Sequence, residues 1–428
     1  MPNQEPAAAA ITQFLAQFPP QKNSHFVVAL SGGADSIALL HALSKQVDSE
    51  HILAVYINHQ LQPESSEWAQ FNRDICQRWG IPFKAIDVTV NADAASLENE
   101  ARRARYDALA QFITDQQLCL LTAHHKDDQV ETLLLQLFRG AGPKGLSAMP
   151  LTIAFAEGVH ARPFLALSKQ DILNYCAAYG LAFVEDPSNE DTKHRRNFLR
   201  QKVIPLLEQE WPQLRETLYR VSELQADTQQ VIEEQAQQDL AACYEQGKGL
   251  SLEVLGALSP PRQHNVLRYW LSQLGLTMPS RKVLQQLTQQ MLQSESDSQP
   301  AIEWQGGVFR RHTGFLLWDS GRQQALDFTP TTWEGQQDLR LSDKVLLPAR
   351  WLQQRYPELV GRVLTVSLRQ GGERFRKPNS TQTTSLKNYF QETGVPSWQR
   401  SNVVLISYQD EVRAIYTEHL ADYLKNSI

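Results

Sequence analysis

His25-Phe26-Val27-Val28-Ala29-Leu30 runs directly into Ser31-Gly32-Gly33-Ala34-Asp35-Ser36, and this junction decides how the first half of the chain folds. The apolar, β-branched run reads as a buried strand, and Ile37 to Lys45 reads as the helix that follows. A glycine pair between strand and helix lets backbone N–H groups converge on a phosphate that a β-carbon would keep away. The hydroxyls of Ser31 and Ser36 add hydrogen bonds, and Asp35 offers a ligand for the Mg2+ that accompanies ATP phosphates. A Walker loop needs a lysine where Ser36 is followed by Ile37, so transfer of the γ-phosphate is disfavoured. A dinucleotide fingerprint needs a third glycine, which is also missing. The alternative is a plain tight turn.

Outward from the loop, short strands alternate with helical patterns, as in a parallel sheet wrapped by helices. Strands are expected at Ile52 to Ile57, Phe83 to Val88 and Leu118 to Ala123, with helices at Glu67 to Trp79, Ser96 to Gln116 and Asp128 to Phe138. This domain is expected over 1–212. From 213 to 325 helices dominate (Glu223 to Gln246, Arg262 to Leu274, Arg281 to Leu292). They end in a hairpin of Ala301 to Gln305 and Val308 to Trp318 around Gly306-Gly307. A small α+β domain is expected over 345–428, with strands at Arg362 to Leu368, Val403 to Ser407 and Val412 to Tyr416 and a helix at Leu386 to Thr393.

The 428 residues are too many for one ordinary core, and 42% hydrophobic with 21% charged residues is a globular balance. No apolar run reaches membrane-spanning length and no basic presequence leads the chain, so a cytoplasmic protein with no membrane association is expected. The four cysteines are far apart and read as buried, reduced thiols. The net charge of -6 argues against a nucleic-acid partner, but averages hide patches. Arg362 to Arg400 holds seven basic residues against two acidic ones, and Lys193 to Lys202 holds five bases and no acid. Both point to an anionic partner; solvated faces balanced by acidic neighbours are the alternative.

Four further segments carry chemistry. Ala123-His124-His125-Lys126-Asp127-Asp128-Gln129-Val130-Glu131-Thr132 follows a strand, and Asp128 and Glu131 share one helical face. Two carboxylates there suit Mg2+ or the ammonium of an amino acid, with an acidic first turn serving its own helix dipole as the alternative. Glu100-Ala101-Arg102-Arg103-Ala104-Arg105-Tyr106 puts Arg102, Arg105 and Tyr106 on one face, suited to phosphates and a base stacked on the ring. Asp186-Pro187-Ser188-Asn189 leads into Arg195-Arg196-Asn197-Phe198-Leu199-Arg200, bases beside a turn, and Arg162-Pro163-Phe164-Leu165 lies between. Asn58-His59 ends the second strand.

The loop S-G-G-x-D-S after a first strand resembles that of the ATP pyrophosphatases, the PP-loop family, whose members transfer AMP to a substrate oxygen while the loop grips the departing pyrophosphate. The other segments are similar to H-x-x-D-D-Q-x-E-T, E-A-R-x-x-R-Y, D-x-S-N with R-N-x-x-R, and R-P-L-L of the tRNA(Ile)-lysidine synthetases. Phe164 departs from the last. The resemblance implies an α/β PP-loop catalytic domain, a mostly helical tRNA-contacting domain and a small basic C-terminal tRNA-recognition domain. It implies an ATP- and Mg2+-dependent ligase that joins L-lysine to C2 of the wobble cytidine in the CAU anticodon of minor tRNA(Ile). An adenylated cytidine is the intermediate, AMP and pyrophosphate are released, and the codon read changes from AUG to AUA.

Carried onto this chain, the resemblance implies ATP binding by Ser31, Gly32, Gly33, Ala34, Asp35, Ser36, His59 and Arg105, with Asp35 on the metal. Lysine would meet Asp128 and Glu131, and Asp35, Ser36, Asp128 and Glu131 form the catalytic set. The tRNA would meet Arg102, Arg195, Arg196, Asn197 and Arg200, and, in the last domain, Arg369, Arg374, Arg376 and Lys377. Which carboxylate meets Mg2+ and which meets lysine stays open. Oligomeric state is not readable, with a homodimer left open. A PP-loop tRNA thiolase and a tRNA-binding module without activity are the rival readings.

Overall fold

Val27 and Val28 point to opposite faces of strand β1 (His25–Ala29), yet both are buried. A strand apolar on both sides needs a layer of helices on each. The computed structural model provides them, describing residues 6–19, 25–60, 64–89, 97–115, 118–187, 191–246, 248–293, 300–320, 326–342, 345–376, 383–392, 395 and 397–417. The chain divides into two units, Met1–Gln230 and Val231–Ile428.

In the first unit, α1 (Pro6–Gln17) precedes β1. Then come α2 (Ala34–Ser44), β2 (Ile52–Asn58), α3 (Ser65–Trp79), β3 (Phe83–Asp87), α4 (Leu97–Ala110), β4 (Leu118–Leu121) and α5 (Lys126–Phe138). They are followed by α6 (Pro143–Leu146), β5 (Thr152–Phe155), β6 (Gly158–Ala161), α7 (Lys169–Ala178), α8 (Arg195–Phe198), α9 (Ile204–Glu210) and the start of α10 (Leu214–Cys243). The sheet order is β3-β2-β1-β4-β6-β5, parallel except for the β5–β6 pair. Val28, Ile37, Leu40 and Tyr175 belong to a core on one face, and Val27, Val55, Leu109 and Leu120 to a core on the other.

Because β2 lies on one side of β1 and β4 on the other, the winding reverses between β1 and β4. In open α/β sheets this reversal opens a crevice at the carboxyl ends of the strands, where ligands bind. Ser31 to Ser36 follows β1, and His124 to Asp128 follows β4, so both lead into that crevice.

The strands and helices expected around the loop are present, with three differences. Helix α4 ends at Ala110, not Gln116, because Phe112 and Ile113 donate to carbonyls three residues back and close a tight turn; its expected start at Ser96 lies outside the described residues. Helices α1 and α7 and the β5–β6 pair, each strand only four residues long, were not expected. A π-helical turn, Leu199–Val203, joins α8 to α9.

The second unit carries β7 (Tyr244–Glu245), β8 (Gly249–Ser251), α11 (Leu252–Ala257), α12 (Pro260–Gln273), α13 (Arg281–Gln293), β9 (Ala301–Trp304), β10 (Gly307–His312) and β11 (Phe315–Asp319). The run Val308 to Trp318, expected as one strand, is split by a turn in which Thr313 and Gly314 both take positive φ. The hairpin thereby grows into a five-stranded sheet, β7-β8-β11-β10-β9. Further on are β12 (Thr331–Trp333), β13 (Leu339–Arg340), β14 (Leu346–Leu347), α14 (Ala349–Arg355), β15 (Leu364–Leu368), β16 (Arg374–Arg376), β17 (Thr383–Ser385), α15 (Leu386–Glu392), β18 (Val404–Tyr408) and β19 (Glu411–Tyr416). Six of these strands form a sheet in the order β12-β15-β18-β19-β16-β17. Val404 and Ile406 pack into one core and Val403 and Leu405 into another, the alternation of a strand covered on both faces. Among the described residues, no helix is long and apolar enough to cross a membrane.

Candidate active site

The loop is held open by its own hydroxyls. Ser36 Oγ accepts from the Ser31 N–H at 3.1 Å and donates to the Gly33 carbonyl at 3.1 Å, and Ser31 Oγ accepts from the Gly33 N–H at 3.3 Å. Gly32 sits at φ +90°, and a β-carbon there would come within 3.2 Å of the Asn72 side chain. Asn72 is fully buried, and neither its amide nitrogen nor its oxygen has a partner among the described residues. Gly33 is the N-cap residue of α2, with Ala34 and Asp35 opening the helix, so the first amides of α2 face outward for an anion.

Asp35 begins a chain of alternating acidic and basic groups. Its Oδ1 lies 2.6 Å from Lys169 Nζ, at the start of α7, and its Oδ2 lies 3.8 Å from His125 Nε2. His125 Nε2 is also 3.5 Å from Asp128 Oδ2, and Asp128 Oδ1 is 3.6 Å from Arg200. Arg200 holds Glu131 with two bonds of 2.6 and 3.0 Å, and Arg196 Nε reaches the same carboxylate at 3.0 Å. His125 caps α5: its Nδ1 accepts from the Asp127 N–H while its own N–H donates to Asp128, a reciprocal capping box. A ring whose Nδ1 accepts carries its proton on Nε2, which therefore faces both aspartates.

Burial pushes the Asp128 carboxyl up, but His125, His124, Arg196 and a backbone N–H outweigh it, so Asp128 is held below the usual carboxylate range. Glu131 goes the other way: full burial outweighs the guanidiniums that pull it down. Seen from Arg200, the pair with Glu131 outweighs burial and keeps the guanidinium charged. Glu131, read from sequence as a lysine ligand, is closed over by two arginines. Arg196 and Arg200, read as tRNA contacts, are those arginines.

A second cluster gathers around α4. Arg102 and Arg105 lie over the Tyr106 ring at 5.0 and 5.6 Å, and Phe155 and His160 meet that ring at 5.8 and 5.6 Å. Tyr106 is half-buried, and the two arginines of its own helix already engage its ring. Burial lowers Arg105, with Arg102 adding to it, and burial followed by Arg105 lowers His59. His59 Nδ1 is buried without a partner among the described residues, and Arg105 is the group that faces the buried Tyr106 hydroxyl. Arg162 donates to the Pro150 carbonyl at 2.7 Å, and Phe164 is fully buried in the core.

Of the remaining expected contacts, Arg195 is exposed, and Asn197 donates to the Asp191 carbonyl at 2.9 Å, tying the helix to the preceding turn. In the second unit Arg374 is exposed on β16, Arg376 ends that strand, and Lys377 lies outside the described residues. Arg369 is engaged by Glu373 at 3.6 Å and lies over the Phe390 ring. The four cysteines are free thiols and all buried, and burial pushes Cys76 and Cys119 up to about 12.

Sequence reasoning missed Lys169, His125 and Asn72. The run Ser168-Lys169-Gln170-Asp171 is legible as a helix start, since Ser168 and Asp171 form a capping box. Only the sheet order brings its lysine to Asp35.

Comparison with known proteins places three family models on the chain: a PP-loop domain over residues 3–207, a TilS substrate binding domain over 250–317 and a TilS substrate C-terminal domain over 364–423. A tRNA(Ile)-lysidine synthase of Coxiella burnetii is 36% identical, covering 92% of this chain and 88% of its own. Those of Pectobacterium atrosepticum and Alkalilimnicola ehrlichii are 36% and 35% identical, covering 91% and 97% of this chain and 89% and 94% of their own.

Proposed function

The chain belongs to the tRNA(Ile)-lysidine synthase family, and from that premise we propose how its residues divide the work of an ATP-dependent carbon–nitrogen ligase. The substrate oxygen is O2 of the wobble cytidine of tRNA(Ile), and it attacks the α-phosphate of ATP. An adenylated base forms and pyrophosphate leaves. The amine of lysine then attacks C2, forming the C–N bond as the C–O bond to AMP breaks.

The observation that carries this reading is the charge chain from the loop to the R-N-x-x-R segment, Lys169–Asp35–His125–Asp128–Arg200–Glu131–Arg196. Phosphoryl transfer is catalysed chiefly by positioning and charge neutralisation. The loop amides and Ser31 and Ser36 bind the departing pyrophosphate, and Lys169 supplies the cation that the loop itself lacks. Asp35, a half-buried carboxylate at the mouth of the loop and already paired with a cation, would hold Mg2+, which would neutralise phosphate charge there. Asp128 receives the ammonium of lysine and accepts the proton it must lose. Glu131 positions Arg200 and Arg196 rather than touching lysine. Arg102, Arg105 and His59 line the nucleotide and tRNA side. In the second unit, Arg374 and the neighbouring bases hold tRNA phosphates.

The thiolase reading has no support in the thiols, all buried, or in the relatives. The test is labelled lysine, ATP and unmodified minor tRNA(Ile), read for lysine in the RNA and for AMP with pyrophosphate. Release of ADP, or RNA binding without lysine incorporation, would sink the reading.

A further inference from the structure

Four polar side chains stand in line behind the end of β4. Arg162 Nη2 lies 3.2 Å from His160 Nδ1, His160 Nε2 lies 2.8 Å from Thr122 Oγ1, and Thr122 Oγ1 lies 2.8 Å from His124 Nδ1. The direction of each bond follows from the first. A guanidinium only donates, so His160 Nδ1 accepts. The neutral ring then carries its proton on Nε2 and donates to Thr122. Among the described residues Thr122 Oγ1 has no other acceptor, so its proton goes to His124 Nδ1. His124 is left with its proton on Nε2.

Both rings stay neutral. Burial first, and then the surrounding arginines, bring His124 and His160 down to about 3, with Asp128 opposing the shift at His124. The polarity of the line is therefore set by Arg162, a group that keeps its proton throughout the working pH range. Thr122, His160 and Arg162 are all buried. His124 Nε2 has no partner among the described residues, and it stands where Asp128, Arg105 and Arg196 all act on the ring.

We propose that Arg162, His160 and Thr122 form a one-way hydrogen-bond relay that holds His124 as an Nε2–H donor to a substrate oxygen, phosphoryl or pyrimidine carbonyl, and prevents it from acting as a base. The relay rests on the ligase reading for the identity of that oxygen. A neutral donor adds a hydrogen bond among three guanidiniums without adding to their repulsion. Arg162, His160 and Thr122 are positioning residues. Only His124 touches the substrate.

The test uses the full chain with histidine labelled in the ring nitrogens, so that two-bond nitrogen–proton correlations report the tautomer. His124 is expected as Nε2–H from about pH 5 to pH 9, where a free histidine would titrate. Thr122→Val should mix the tautomers and lower kcat for adenylate formation on the order of tenfold to a hundredfold, as for other groups that orient a catalytic ring, with KM for ATP little changed. Thr122→Ser should restore both. His160→Gln, whose amide can accept from Arg162 and donate to Thr122, should keep the tautomer and most of kcat. Addition of ATP alone should move the His124 Nε2–H resonance if the acceptor is a phosphoryl oxygen. A shift only on adding tRNA identifies the base carbonyl.

An Nδ1–H tautomer in the wild type, full kcat in Thr122→Val, or no shift with either substrate overturns the proposal. If the wild type incorporates no lysine, the ligase reading fails instead. The tautomer, measured without substrate, is independent of that result.

Discussion

Lys169 Nζ lies 2.6 Å from Asp35 Oδ1, so the phosphate loop is completed by a cation from a helix 134 residues downstream. On the proposed reading, Lys169 would turn from this carboxylate toward the phosphates when Mg2+ and ATP bind. Lys169→Ala should raise KM for ATP about tenfold and lower the rate of pyrophosphate release on the order of a hundredfold. Lys169→Arg should recover part of both. Single-turnover pyrophosphate release measures the effect, and an unchanged rate in Lys169→Ala would remove the lysine from the site.

Glu131 is fully buried under Arg200 and Arg196, and its removal strands two cations. Breaking such a pair costs about 3–5 kcal/mol when both partners are buried, and the partial exposure of the arginines reduces this to about 2 kcal/mol. Glu131→Gln should lower the denaturant midpoint accordingly. It should also reduce lysine incorporation, because Arg200 loses the partner that holds it near Asp128.

Two adjacent glycines should respond differently to alanine. Gly32 is at φ +90° and a β-carbon would press on buried Asn72, whereas the nearest atom to a β-carbon on Gly33 is Ser31 Oγ at 3.5 Å. Gly32→Ala should cost about 1–2 kcal/mol in stability, seen as a lower Tm, and Gly33→Ala much less. Both should weaken ATP in a calorimetric titration, since either methyl group crowds the approach of phosphate.

Acid should destabilise the protein through two histidines. His124 and His160 are held to about 3 in the fold, below the unfolded value near 6.5. Below that unfolded value the open chain binds protons that the native state refuses, so stability falls as pH drops from about 6.5 toward 3. Tm should decline by several degrees between about pH 7 and pH 5. In His160→Gln the decline should be shallower, and an equal slope would show that these rings are not the cause.

For the second unit, Arg374 is exposed, whereas Arg369 is engaged with Glu373 and Phe390. Arg374→Ala should weaken tRNA binding and reduce the salt slope of log K by about one, with ATP binding unaffected. Arg369→Ala should act mainly on stability. Filter binding across a salt series distinguishes the two.

The loop, its strand and the helix after it were legible in the sequence because each is local: a glycine pair, an apolar run and a period of 3.6. The reversal of winding between β1 and β4 was not, since the order of strands along the chain does not fix their order in the sheet. What was not legible is partnership. Arg196 and Arg200 look like free bases in a charge count, yet their guanidiniums neutralise Glu131 across two helices. Tyr106 looks like a stacking platform at helical spacing, and the sequence does not show that Phe155 and His160, from distant strands, pack against its ring. Pairings of this kind are set by the packing of distant segments, and neither composition nor periodicity records them.

All four thiols are buried, and two are pushed up to about 12, so almost none of their thiolate form is present at neutral pH. The native fold is thus silent toward maleimide reagents. A single cysteine engineered onto an exposed position outside the proposed contacts, such as Ser49 or Glu253, will carry a fluorophore as the sole label. The departure of pyrophosphate and the docking of RNA can then be followed optically on the otherwise unaltered enzyme.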